Sequence, residues 1–229
     1  MNFSVSPEEY SYLSEYLSTT CGIELGDNKQ YLVNSRLKTL LAKHGFNSIE
    51  EMLSSVKNDI KAGLRQQLID AMTTHETLWF RDQYPYVALK RMILPELARA
   101  KMPNVRIWSA ACSSGQEPYS ISMIVEEYRR EYPKHPLANV QIVAPDISPT
   151  ILKTAKEGSY EDIALARGLT SDRRAKFFDE HDGVARVKDF VRKQVSFQEL
   201  NLISPGACRG KFHVIFCRNV LISFSDKNK

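Results

Sequence analysis

Val105-Arg106-Ile107-Trp108-Ser109-Ala110-Ala111-Cys112-Ser113-Ser114-Gly115-Gln116-Glu117-Pro118-Tyr119 is the stretch that decides how this chain folds. The run from Val105 to Ala111 is short and apolar, as a strand buried on both faces must be. A string of small residues follows, and then a helical stretch from Glu117 to Arg130. Three more apolar runs lie downstream, Val140 to Ala144, Val195 to Phe197 and Phe212 to Cys217, and a second helical stretch spans Pro149 to Lys156. Strand–helix–strand alternation predicts an α/β fold, with parallel strands and helices on the faces of the sheet.

Upstream, the first 72 residues read as helices only. Ser6-Pro7-Glu8-Glu9 is a start signal, with Ser6 as N-cap, Pro7 at the first helical position and Glu9 reaching back in a capping box. Tyr10, Leu13 and Leu17 follow at helical spacing, and Gly22 is a stop. A second helix is expected from about Lys29 to His44, ended by Gly45. A third starts near Ser48 and carries Ile49, Met52, Leu53 and Val56. A fourth carries Ile60, Leu64, Leu68 and Met72. Four short amphipathic helices make a small bundle. The polar run Thr73-Thr74-His75-Glu76-Thr77 reads as a linker. A helix is expected from about Tyr84 to Lys101, kinked or split at Pro95. The expected domains are residues 1–72, a helical N-terminal domain; 73–83, a linker carrying site residues; and 84–229, an α/β domain.

Length and composition narrow the class of protein. The chain has 229 residues, which at about 150 per domain allows one large or two small domains. Hydrophobic residues make up 43%, so the chain is globular, and disorder and collagen are excluded. Lys and Arg number 31 against 27 Asp and Glu; the excess of four suits a local basic patch and is too small to argue for nucleic acid. No apolar run approaches the 18 or so residues of a membrane span, and Met1–Tyr10 has no secretory pattern. Cys21, Cys112, Cys208 and Cys217 match neither zinc spacing nor a disulfide framework, so a cytoplasmic protein with reduced thiols is expected.

In an open α/β sheet, ligands sit outside the carboxyl ends of the strands. That rule selects three segments. In Ser109–Tyr119 the small side chains let the backbone approach a ligand closely. Ala144-Pro145-Asp146 sets a carboxylate just past the second strand, where it can accept from both hydroxyls of a ribose. Phe216-Cys217-Arg218-Asn219-Val220 presents polar groups after an apolar strand. The first segment has no GxGxxG and no GK[ST], so neither a dinucleotide fingerprint nor a P-loop is present. Each segment alone also reads as an ordinary turn or helix cap; their joint occurrence raises a nucleoside site. The histidines His44, His75, His135, His181 and His213 lack metal-ligand spacing, and no metal site is expected. No GxSxG nucleophile elbow occurs. Asp179-Glu180-His181-Asp182 reads as an exposed loop.

At these residues the sequence resembles the CheR-type chemotaxis receptor methyltransferases. The likeness rests on Gly22-Ile23-Glu24-Leu25 with Tyr31–Leu37, on Met72-Thr73-Thr74-His75-Glu76-Thr77-Leu78-Trp79-Phe80-Arg81, and on Arg106–Ser120. It continues through Ile163–Leu169, Asn201-Leu202 and Phe216-Cys217-Arg218-Asn219-Val220-Leu221-Ile222. The resemblance implies a Rossmann-like sheet behind a small all-helical domain. It implies S-adenosylmethionine as cofactor, S-adenosylhomocysteine as product, and O-methylation of glutamate side chains on bacterial chemoreceptors. It further implies a cofactor site of His75, Thr77, Arg81, Glu117, Asp146, Asn201, Leu202, Arg218 and Asn219, with Arg81 beside the transferred methyl group as the catalytic residue. The sequence departs from the family pattern at His75, usually asparagine; at Pro145, usually threonine or serine; and at Ser223, usually tyrosine. The family's further strands and small β-subdomain are expected beyond Lys229, so the sheet is expected to be C-terminally truncated. These departures admit a second reading, a CheR-like module that binds cofactor or receptor without turnover.

The residues suit the implied chemistry. An acceptor carboxylate, with an ordinary pKa near about 4.3, is ionised at neutral pH and requires no general base. Orientation and exclusion of water then carry the reaction. Arg81 can anchor a carboxylate, Glu117 can take an ammonium group or a hydroxyl, and Asp146 can grip a ribose. From Lys29 to His44 no acid occurs. Lys29, Arg36 and Lys43 are seven apart and align within about 40° on one helix face. Such a stripe is either a solvated flank or a docking face for an acidic helical partner; in the resembled family this domain faces the cytoplasmic helices of the receptors. A monomer without nucleic-acid or membrane contacts is expected.

Overall fold

A computed structural model describes residues 4–26, 28–134, 137, 139–207 and 210–225. His135, Cys208 and Lys229, named above, lie outside the described residues. The chain divides into two compact units, residues 1–74 with 219–229, and residues 75–218.

The first unit is the helical one. Helix α1, Pro7–Cys21, has the full capping box: the Ser6 hydroxyl accepts from Glu9 N, the Glu9 carboxylate accepts from Ser6 N, and Gly22 closes the helix in the left-handed conformation. Helix α2 is Gln30–His44, α3 is Ile49–Lys57 and α4 is Leu64–Met72. Helix α1 packs on α3 and α2 on α4, with Leu13, Leu17, Leu37, Ile49, Leu53, Leu64 and Leu68 fully buried. The fourth helix starts later than its apolar spacing predicts. Asp59 and Gly63 both hold positive φ, which breaks the helix before Leu64, and Ile60 stands 67% exposed. Residues 219–225 join this unit, where Ile23 and Phe224 form an antiparallel bridge and Glu24 N donates to Ser223 O at 2.9 Å. The sequence-based boundary, with everything after residue 84 in one domain, is corrected at that point.

The second unit begins at His75. The linker expected at 73–83 is not free chain, because Trp79 and Phe80 are buried in the unit's core and anchor it there. Helix α5, Tyr84–Ala88, runs through a π turn, Leu89–Ile93, into α6, Leu94–Arg99. Pro95 is the reason: it has no N–H to donate, and the widened turn before it absorbs the mismatch. Then come β1, Asn104–Ser109; α7, Gln116–Glu131; β2, Asn139–Asp146; and α8, Pro149–Glu157. Strand β3 is Ser159–Glu161, α9 is Asp162–Leu165 and α10 is Ser171–Phe177. Strands β4, Phe178–His181, and β5, Val184–Val187, precede α11, Asp189–Arg192, and strands β6, Val195–Glu199, and β7, Val214–Phe216, complete the unit.

The main sheet is parallel, in the order β6-β2-β1-β7. Val105, Ile107, Val140, Ile142 and Phe216 point to one face and pack with α5 and α7 around Trp79, Tyr86 and Ile121. The buried hydroxyls of α7 are satisfied: Ser120 donates to Gln116 O and accepts from Phe80 N, and Ser122 donates to Val191 O. On the other face a hollow of about 480 Å³ lies among Arg106, Trp108, Gln141 and Phe212, and none of the expected site residues lines it.

A second sheet, antiparallel in the order β3-β5-β4, was not expected. The stretch read as a loop, Asp179–Asp182, supplies the end of β4 and half of a tight turn. Asp182 and Gly183 both hold positive φ, as a two-residue hairpin turn between right-twisted strands requires. A small antiparallel sheet therefore lies within the chain, between α8 and β6. Among the described residues no helix is long and apolar enough to cross a membrane.

Candidate active site

The carboxyl ends of β1, β2, β6 and β7 lie side by side, and most of the expected site residues gather there. Strand β1 ends at Ser109, and the chain reaches α7 through a loop in which Ala111 and Ser113 both hold positive φ. Neither is glycine, so each conformation costs about 1–3 kcal/mol and persists only because the surroundings impose it. The surroundings are visible. Ala110 N donates to Phe216 O at 2.8 Å, Cys112 N to Pro145 O at 2.9 Å, and Ser113 N to the Asp146 carboxylate at 2.8 Å. The Ser113 hydroxyl donates to His75 O at 3.2 Å, and the Tyr160 hydroxyl donates to Ser114 O at 2.6 Å.

Asp146 is the last residue of β2 and only 5% exposed. One carboxylate oxygen takes Ser113 N, and the other takes Ser148 N at 3.0 Å. A carboxylate has about four acceptor positions, so the same group retains capacity for ribose hydroxyls while it holds the loop. Pro145, the departure beside it, fits the strand. Its carbonyl points toward the β1 side, where Cys112 N takes it, and its missing N–H points the same way, past the last β1–β2 pair at Trp108 and Val143. No ladder bond to β6 is lost.

Glu117 stands in the first turn of α7, where the helix N-terminus favours negative charge. Burial pushes its carboxyl above the ordinary value of 4.5, and the Ser109 hydroxyl together with the Arg218 and Arg81 cations opposes that rise. Ser109 Oγ donates to Glu117 Oε1 at 2.8 Å, and Arg218 Nη1 stands 3.5 Å from Oε2. Arg218 also pairs closely with Asp82 through Nη2. Arg81 is half-buried and donates to Glu76 O at 3.4 Å.

Asn201 and Leu202 follow β6 and are half-buried; the Asn201 side-chain oxygen accepts from Ile203 N at 3.3 Å. His75 and Thr77 are half-buried at the start of the unit. Asn219 holds a φ of 56° and falls in the return segment grouped with the helical unit. The basic stripe lies in that unit too, and it is not uniform. Lys29 and Lys43 are exposed. Arg36 turns inward and donates to Met72 O at 2.7 Å, Thr73 O at 3.3 Å and Thr74 Oγ1 at 2.9 Å, capping the end of α4.

Sequence reading missed Ser109 as the partner of Glu117, Asp82 as the partner of Arg218, and Tyr160 altogether. Asp82 directly follows Arg81, and its charge was the available signal. Tyr160 carried none, because its partner is 46 residues away.

The donor set fits a nucleoside that carries an amino acid: a buried carboxylate with free acceptor positions for a ribose, a second for an ammonium group, and a small-residue loop between them. Comparison with known proteins agrees. Residues 8–73 match the family model described as CheR methyltransferase, all-alpha domain, and residues 75–229 match CheR methyltransferase, SAM binding domain. The chain is 46% identical to Chemotaxis protein methyltransferase 1 of Pseudomonas aeruginosa over 228 residues, 99% of this chain and 83% of the relative. It is 48% identical to Chemotaxis protein methyltransferase of Vibrio anguillarum over 227 residues, 99% and 82% of the two chains. It is 34% identical to Chemotaxis protein methyltransferase of Borreliella burgdorferi over 237 residues, covering this whole chain and 82% of the relative. With both family models matched in order and relatives 46–48% identical over nearly its whole length, this chain belongs to the CheR methyltransferase family.

Proposed function

We propose that this protein methylates glutamate side chains on bacterial chemoreceptors in the cytoplasm, with S-adenosylmethionine as methyl donor. The observation that carries the reading is the placing of two carboxylates, the buried Asp146 at the end of β2 and the half-buried Glu117 in the first turn of α7, on either side of the strained loop whose Ser113 N binds Asp146. When bound, S-adenosylmethionine supplies a methyl group made electrophilic by its sulfonium. Asp146 would hold the ribose end and Glu117 the ammonium end, so that the two acids would orient the bound cofactor. With the cofactor bound, the chemistry supplied would be transfer of that methyl group to an acceptor carboxylate oxygen, giving a methyl ester and leaving the carbon–sulfur electron pair on sulfur in S-adenosylhomocysteine. No proton moves, so no general base is needed, consistent with a site built from anchoring groups. Arg81, whose charge reaches Glu117, holds the incoming carboxylate in line. The names of the relatives support a chemotaxis substrate, and the exposed Lys29 and Lys43 offer charge to an acidic receptor helix.

Two measurements test the reading. Calorimetry with S-adenosylhomocysteine should show binding. Transfer of radiolabelled methyl to a receptor cytoplasmic fragment should yield base-labile ester, and a label that resists base or does not transfer would contradict it.

A further inference from the structure

Asp82 has no role in the reading above, yet it is an ion-pair partner of Arg218. It is 67% exposed in its side chain and pairs with Arg218, whose own side chain is 15% exposed. Arg218 therefore faces two acids. It grips Asp82 closely and stands 3.5 Å from Glu117 Oε2, the far limit of a hydrogen bond. Its guanidinium carbon lies 5.9 Å from the Tyr86 ring centroid, with that ring behind it.

The turn that presents Asp82 is built to hold it. Phe80, Asp82 and Gln83 all have positive φ, three left-handed residues in four, none of them glycine. Phe80 N is bonded to the Ser120 hydroxyl, and Gln83 N to Phe80 O at 2.9 Å. The Phe80 ring carries the Arg173 guanidinium at 3.7 Å, and Arg173 in turn is paired with Glu127. An unfavourable backbone pinned from several sides marks a position where geometry matters.

We infer that Asp82 is a positioning residue: it draws Arg218 away from Glu117, so that a Glu117 oxygen stays available for the ammonium group of the cofactor's amino acid. The inference rests on the proposed reading of the site. Without Asp82, Arg218 is free to shorten its 3.5 Å contact with Glu117 Oε2 and to pair with Glu117 alone. The ammonium group would then have to displace a guanidinium already in place. The effect falls on the amino-acid half of the cofactor and spares the nucleoside half, which Asp146 holds by itself.

Calorimetry on the full chain separates the possibilities. Asn tolerates a left-handed backbone as well as Asp does, so Asp82→Asn keeps the turn. Asp82→Asn should weaken S-adenosylhomocysteine about tenfold. It should leave 5′-methylthioadenosine, which has no amino acid, at the wild-type affinity, and Asp82→Glu should recover most of the loss. Unchanged S-adenosylhomocysteine affinity in Asp82→Asn overturns the inference. So does equal weakening of both ligands, which would mean a general distortion. If wild type binds 5′-methylthioadenosine too weakly to measure, the Asp82→Glu variant decides: recovery supports the inference and no recovery overturns it. Failure of the wild-type chain to bind S-adenosylhomocysteine would remove the underlying reading as well, and so is distinguishable from failure of Asp82 alone.

Discussion

The hydroxyl of Tyr160, in the first strand of the small antiparallel sheet, donates to the carbonyl of Ser114, in the loop that leads into α7, at 2.6 Å. A Cβ on Gly115 would meet the same hydroxyl at 3.1 Å, so sheet and loop are in close contact there. Trp79 packs edge-on against Tyr160 at 4.9 Å and against Phe178 at 5.3 Å, which ties two strands of that sheet to the start of the unit. Tyr160→Phe should lower stability by about 1 kcal/mol, the net worth of one buried hydrogen bond. It should also weaken S-adenosylhomocysteine several-fold by loosening the loop. Denaturant melts and calorimetry on the same preparation check both effects.

Asp146→Ala removes the acceptor for two backbone N–H groups, those of Ser113 and Ser148, as well as the expected ribose contact. Stability should fall by about 1–3 kcal/mol, the cost of buried donors left unpaired. S-adenosylhomocysteine affinity should fall further than stability alone explains. Unchanged affinity measured well below the melting temperature would contradict the ribose assignment.

If Glu117 takes the ammonium group as proposed, cofactor binding should depend on pH. Burial raises its carboxyl above 4.5 in the folded chain. A raised acid binds more protons folded than unfolded, so its contribution to stability declines as pH rises from the unfolded value through the folded one. Ligand binding has the opposite sign, because an ammonium group needs the ionised carboxylate. Affinity for S-adenosylhomocysteine should decline on acidification while pH is still above 4.5. Glu117→Gln should bind weakly and without that pH dependence, as a calorimetric series in several buffers would show.

In the helical unit the stripe separates into two roles. Arg36→Ala should destabilise the unit by about 1.5–3 kcal/mol, since a charged group bonded to the end of α4 is lost. Lys29→Glu with Lys43→Glu should leave stability nearly unchanged and reduce receptor methylation most strongly at low salt. Chemical denaturation and methylation assays at two ionic strengths distinguish them.

Gly168 is irreplaceable for a steric reason. Its φ is +92°, and an added Cβ would lie 2.0 Å from the carbonyl oxygen of Trp79. Gly168→Ala should cost at least about 3 kcal/mol, because backbone and not a flexible side chain stands in the way. Trp79 is also bonded through Nε1 to Ala164 O at 3.1 Å, so the damage should be visible as a change in tryptophan fluorescence.

Much of this was legible along the chain because it is local or periodic. The capping box of α1, the glycine stops after α1 and α2, and the apolar runs of β1, β2, β6 and β7 need only neighbours in sequence. Asp146 and Glu117 were legible for the same reason: one ends β2 and the other opens the helix that follows β1. The hairpin of β4 and β5 had a signal, Asp182-Gly183, but its flanking residues are largely polar and exposed, and apolar runs were the guide. The late start of α4 was hidden because Ile60 continues the apolar spacing while the backbone at Asp59 and Gly63 breaks it.

Hydrophobic period and end signals in the sequence determined the α/β class, the helical start and the three strand ends where a ligand belongs, since those features are carried by residues a few positions apart. Tertiary structure alone decided that Arg36 caps α4, that Tyr160 holds Ser114, that residues 219–225 join the helical unit, and that Arg218 is shared between Asp82 and Glu117. Those partners are separated by tens of residues or more, and a charge or hydroxyl finds its match only when folding has brought the two backbones within hydrogen-bonding distance.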